Sequence, residues 1–197
     1  MTLVRAQRVV PIFPGSRPAR RPAARWLLVV AFGLVACAWV ARAHDPFEVG
    51  VLARLHQESF VVRITLARST AFKLCASATG GRRTFEKDQF ETIRPAFENC
   101  ARDLVVLERG GEKLAPRTVN ATLTIDEDIE LEIVFPRPAA GPLHVDAGFM
   151  RVLGEGYGGT LVVADGNVVL CDKRIQIEMG TDADVMVPTS AKSMDRP

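Results

Sequence analysis

The chain has 197 residues, 48% of them hydrophobic and 24% charged, with a formal net charge of +2. That balance excludes a charge-rich disordered chain. The positive sign is local: 7 of the 25 basic residues and none of the 23 acidic ones lie in 1–43, so 44–197 carry a balance of −5. An acidic body of 154 residues suffices for one domain with a real core, and it offers no electrostatic footprint for nucleic acid or an anionic membrane surface.

The first segment reads as a targeting signal. Arg5, Arg8, Arg17, Arg20, Arg21 and Arg25 occur with no acidic residue, followed by a 15-residue apolar run from Trp26 to Val40 and by Ala41-Arg42-Ala43. These are the charged region, the apolar region and the small-residue cleavage site of a signal peptide over 1–43. The expected mature protein is periplasmic or secreted and begins at His44. A spanning helix needs roughly 20 apolar residues, more than this run supplies, and an uncleaved segment acting as an anchor is the first alternative. The second is lipidation. Leu34-Val35-Ala36-Cys37 matches a lipoprotein box that would make Cys37 the anchored first residue, although Ala38-Trp39-Val40 continue the apolar run where lipoproteins usually turn polar.

From Phe47 onward the period is two. Phe60, Val62, Ile64 and Leu66 alternate with Val61, Arg63, Thr65 and Ala67, and a preceding strand at about 47–55 is separated from them by His56-Gln57-Glu58-Ser59, which predicts a hairpin. Between 69 and 102 the period lengthens. Phe90, Ile93, Phe97 and Cys100 recur at three- and four-residue steps, one face of a helix. Pro95 lies inside that run, so the helix either starts near it or is kinked there. Strands then resume over 104–108, 118–125, 130–135, 143–149, 160–164 and 168–179, with turns at Arg109-Gly110-Gly111 and at Asp165-Gly166. The expected fold is mainly β, an antiparallel β-sandwich, immunoglobulin-like in the broad sense, spanning 44–179 with one helical insertion at about 69–102. Residues 180–197 lack a sustained pattern and read as a flexible tail.

Three cysteines follow the signal segment. In an oxidising compartment disulfides persist, and Cys75 and Cys100 flank the same polar, glycine-containing insertion. Pairing them closes a loop of about 25 residues, worth roughly 3 kcal/mol in the chain-entropy model. Cys171, in an apolar strand, is left as an inert buried thiol.

Chemical motifs are few. Gly154-Glu155-Gly156-Tyr157-Gly158-Gly159 has the spacing of a dinucleotide fingerprint, but Thr160-Leu161-Val162-Val163 follows as a strand where the fingerprint requires a helix. Asp126-Glu127-Asp128 lacks the central glycine of a calcium loop, and Glu130 and Glu132 alternate with Ile129, Leu131 and Ile133 as a strand's solvent face. With His44, His56 and His144 as the only histidines and no nucleophile elbow, no triad can be assembled, and the reading is non-enzymatic. One sharper possibility involves metal. Cleavage after Ala43 would give His44 a free α-amine beside its imidazole, and His144, with Asp146 on the same strand face, could complete a nitrogen-rich copper or nickel site. This arrangement is similar to the copper carriers of the CopC type and to lytic polysaccharide monooxygenases.

A broader likeness covers the body of the chain. Ala43-His44, the hairpin ending in Leu66, the helical insertion and the strand leading into Gly110-Gly111 form its first part. The second is the stretch from Phe149-Met150-Arg151-Val152-Leu153 through Gly156-Tyr157 to Leu161-Val162-Val163. Together these resemble the extracytoplasmic β domain of membrane proteins related to the HupE/UreJ family. That family places several transmembrane helices after the domain, and no such run occurs here up to Pro197. The resemblance implies a scaffold rather than a catalytic site, and a membrane protein as partner. The functional expectation is an exported binding or interaction domain, accessory to a membrane protein, with no cofactor and with no small-molecule ligand that the sequence identifies; the alternative is the copper or nickel protein built on His44, His144 and Asp146.

Overall fold

The computed structural model describes residues 47–189. The expected signal peptide over 1–43, with Cys37, the expected new N-terminus His44, and residues 190–197 lie outside the described residues. The hairpin forms as its alternation requires. β1 (Glu48–Leu55) and β2 (Ser59–Leu66) pair antiparallel, and Val49, Val51, Ala53 and Leu55 are buried beside Phe60, Val62, Ile64 and Leu66.

The helical insertion follows, with α1 (Arg68–Leu74), a 3-10 turn (Lys87–Gln89) and α2 (Phe90–Ala101). α2 begins at Phe90 and runs on through Pro95, whose ring removes the N–H that would otherwise donate one turn back. Its buried face is Phe90, Ile93, Phe97 and Ala101. Phe97 meets Phe72 of α1 at 5.4 Å between ring centres, and Phe85 bridges Phe72 and Phe90 at 5.7 Å to each. Cys75 and Cys100 are joined with their Cα atoms 5.6 Å apart, as the bracketed insertion predicts, which ties the end of α1 to the end of α2.

The remaining strands are β3 (Val106–Arg109), β4 (Glu112–Lys113), β5 (Thr118–Leu123), β6 (Ile129–Pro136), β7 (Gly141–Asp146), β8 (Gly158–Asp165), β9 (Val168–Ile175) and β10 (Asp182–Val187). One sheet runs β5-β6-β2-β1-β8-β9 and the other β10-β7-β3-β4. Their inward faces, for example Ile64, Leu131 and Leu161 from the larger sheet and Leu107, Val145 and Val185 from the smaller, belong to one hydrophobic cluster. The fold is mainly β and sandwich-like, as expected.

Three features depart from the expected pattern. β1 and β8 pair in parallel, a contact between strands far apart in sequence that no local turn dictates. Gly159 lies opposite Val49 in that pair, and a Cβ there would run into the Val49 carbonyl oxygen. The glycine therefore permits the close approach of the two backbones. Secondly, the strand expected over 143–149 ends at Asp146 and is followed by a short helix, α3 (Phe149–Leu153), which buries Phe149, Met150 and Leu153. One helical turn is too short to declare its period in sequence. α3 closes at Gly154, whose φ is +88°. The glycine-rich run thus lies after a helix and before a strand, the reverse of the order a pyrophosphate site needs. Thirdly, the expected flexible tail from 180 contains β10, which pairs antiparallel with β7. Ala183, Val185 and Val187 face the core, and the intervening Asp182, Asp184 and Met186 had masked that alternation.

Candidate functional site

β7 sits between β3 and β10 in the smaller sheet, so its outward residues face outward residues of both neighbours. His144 is paired with Asp184 of β10 on one side and with Glu108 of β3 on the other; Asp146 lies opposite Asp182 and Val106. Alternation along β7 does bring His144 and Asp146 to one face, as the sequence suggests, but each is engaged by other partners. His144 Nδ1 is 2.9 Å from Asp184 Oδ1. Asp146 Oδ1 accepts a hydrogen bond from the Thr181 hydroxyl at 2.8 Å, and its Oδ2 pairs with Arg151 of α3. Arg151 also donates to Thr181 Oγ1 at 2.7 Å. Since Thr181 is buried, this closed triangle pins α3 to the start of β10 and leaves Asp146 as a structural carboxylate.

His56, in the β1–β2 turn, contributes its backbone N–H and carbonyl to the hairpin and to Arg137. Among the described residues no three His, Cys, Asp or Glu side chains gather closely enough to hold a metal ion. A copper brace through His144 would have to use Nε2, with Asp146 released from Arg151 and Thr181. His44 lies outside the described residues.

The hydrogen bond that the His144 Nδ1–H donates to the Asp184 carboxylate holds the imidazole's pKa above the ordinary histidine range, against the smaller opposing effect of burial, with the charges of Asp184, Asp182 and Asp146 adding to it. A histidine with a raised folded-state pKa stabilises fully below its unfolded pKa, and that contribution disappears as pH rises through the folded value. Asp184→Asn should therefore lower the His144 titration midpoint measured by NMR. The stability difference between wild type and variant should be present below the ordinary histidine pKa of about 6.5 and disappear as pH rises through the raised folded-state value. Because the Asp184 side chain is 84% exposed, the difference should stay under about 1 kcal/mol. A midpoint unchanged by the substitution would refute the pairing.

Cys171 on edge strand β9 is the free cysteine among the described residues, and it is half-exposed rather than buried. Desolvation pushes its thiol up, with Lys173 opposing and Asp172 reinforcing, which disfavours the reactive thiolate.

The helical layer holds a second feature, which sequence reasoning passed over. Ser69, Phe72, Lys73 and Ala76 of the α1 segment and Gly81, Arg82 and Arg83 of the following turn enclose a groove of about 410 Å³. The signal for it was Gly80-Gly81-Arg82-Arg83, a reversing turn that delivers two cations, read above only as polar insertion. Among the described residues no helix is long and apolar enough to cross a membrane. Compared with known families and with curated proteins, the chain matches no family model and no curated relative.

Proposed function

We propose that the protein is an exported, non-enzymatic binding or interaction domain that works beside a membrane protein. The observation that carries this reading is the Cys75–Cys100 bridge, which joins the ends of the two helices of the insertion. A bridge of this kind persists in the periplasm or outside the cell and is rare where thiols are kept reduced. It agrees with the signal-peptide pattern over 1–43. The bridge holds the two helices of the insertion together as one platform, and the buried face of α2, Phe90, Ile93, Phe97 and Ala101, joins that platform to the core. The resemblance to the extracytoplasmic domain of HupE/UreJ-related proteins supports a membrane protein as the partner.

The test is fractionation followed by N-terminal sequencing. Protein from the periplasm or medium should begin at His44. A chain recovered from the cytoplasm with residues 1–43 intact would overturn the reading, and a lipid-modified start at Cys37 would replace free release by membrane attachment.

A further inference from the structure

We infer that the groove between α1 and the Gly80-Gly81-Arg82-Arg83 turn binds a small organic anion, a carboxylate or phosphate monoester carried on a short apolar body. The inference rests on the binding-domain reading only in supposing that the domain has a ligand, and it supplies that ligand's class.

The groove's volume of about 410 Å³ falls in the range of small-molecule sites. Its lining holds three cationic side chains, Lys73, Arg82 and Arg83, and no carboxylate. That contrasts with the body of the chain, where 44–197 carry a balance of −5. Arg63, Arg68, Arg94, Arg137, Arg151 and Arg174 each pair with a carboxylate, whereas Arg82 and Arg83, like Arg54, Arg102, Arg109 and Arg117, have no such partner among the described residues; what sets Arg82 and Arg83 apart is that both line one groove whose lining holds no acid. Guanidinium forks match carboxylate and phosphate oxygens bidentately, and the Ser69 hydroxyl adds a neutral donor. Phe72, 3% exposed, and Ala76 give the groove an apolar wall, which would receive the hydrocarbon part of the ligand.

The site is also held in shape. Lys73 Nζ donates to the Leu153 carbonyl at 2.7 Å and lies 4.5 Å from the centre of the Tyr157 ring, so its ammonium is held by residues outside the groove lining, which fixes its stem along the groove and leaves Arg82 and Arg83 as the cations free to meet a ligand. On the opposite wall the chain reverses through Gly80 and Gly81, with φ of +64° and +75°. Backbone bonds from Gly81 N–H to Ala76 O at 2.9 Å and from Arg82 N–H to Thr79 O at 3.4 Å fix the turn. The buried Thr79 hydroxyl donates to Cys75 O at 3.0 Å, and Cys75 is anchored by the disulfide. A groove ordered before binding loses little freedom when a ligand enters.

The experiment titrates the purified, oxidised protein with octanoate, octyl phosphate, inorganic phosphate, octanol and octylammonium, read by amide NMR shifts and calorimetry. Octanoate and octyl phosphate should bind with one-to-one saturation and shift Ser69, Phe72, Ala76 and Gly81. Octylammonium and octanol should not. Arg82→Gln/Arg83→Gln should weaken octanoate binding at least about tenfold, while the charge-matched control Arg54→Gln/Arg102→Gln leaves it unchanged. Both pairs are exposed, so matching unfolding midpoints will show that the fold is intact. Equal binding of octylammonium, equal binding of inorganic phosphate, or binding insensitive to the Arg82/Arg83 change would overturn the inference. Failure here in a protein that sequencing places outside the cytoplasm removes the ligand class and leaves the exported domain. A cytoplasmic protein that still binds octanoate removes the export and leaves the groove.

Discussion

Phe97→Ala is expected to lower the stability of the fold by about 3–5 kcal/mol, the range for removing a fully buried aromatic side chain. Phe97 is wholly inaccessible and lies at the centre of the aromatic group that joins α1 to α2. Its ring meets Phe72 edge-on at 5.4 Å and stacks with Phe90 at 6.4 Å. Contacts of this kind add to the area term. The disulfide keeps the two helices near each other, so the space left by the ring cannot close by letting α2 drift away. Urea denaturation of wild type and variant measures the loss, and a difference below about 1 kcal/mol would show that the aromatic group is not the seam of the helical layer. Phe72 forms the apolar wall of the basic groove as well as one edge of this group, so the variant should also weaken octanoate binding.

Cys75→Ser/Cys100→Ser carries the second large effect, a loss of about 3 kcal/mol if the bridge acts by restricting the unfolded chain. Between the two cysteines lie the Gly80-Gly81 turn, Phe85, the 3-10 turn and most of α2, with a sequence separation of 25. Without the bridge that whole segment must be ordered by its own contacts. Reduced wild type and the serine variant should share one urea midpoint, below that of the oxidised protein, and reductant should not move the variant's midpoint. A wild-type midpoint that ignores reductant would mean that the bridge contributes nothing to the folded balance.

What could be read from the sequence was the part of the fold written in local periods. The β1–β2 hairpin, the buried face of α2 and the Cys75–Cys100 pairing are local or bracket one insertion, and each is present in the structure. The parallel pairing of β1 with β8 was not legible, because strand partners distant in sequence leave no local mark except the glycine at 159. The reading of 180–197 as a tail had the widest consequence. It removed β10, and with it Asp184, the partner of His144, and Thr181, the partner of Asp146. Alternation correctly put His144 and Asp146 on one face, but without β10 they looked available for a metal. The groove was missed for a related reason. Lys73 is separated in sequence from Arg82 and Arg83, and only the turn through Gly80 and Gly81 brings them to one cavity.

The proposed export of a domain whose helical platform is closed by a disulfide is open to a single measurement, trapping thiols in intact cells before lysis and mapping the peptides without reduction. Cys75 should be found linked to Cys100, Cys171 alkylated, and the N-terminal peptide should begin at His44. Protein that retains residues 1–43 and carries alkylated Cys75 and Cys100 would contradict it.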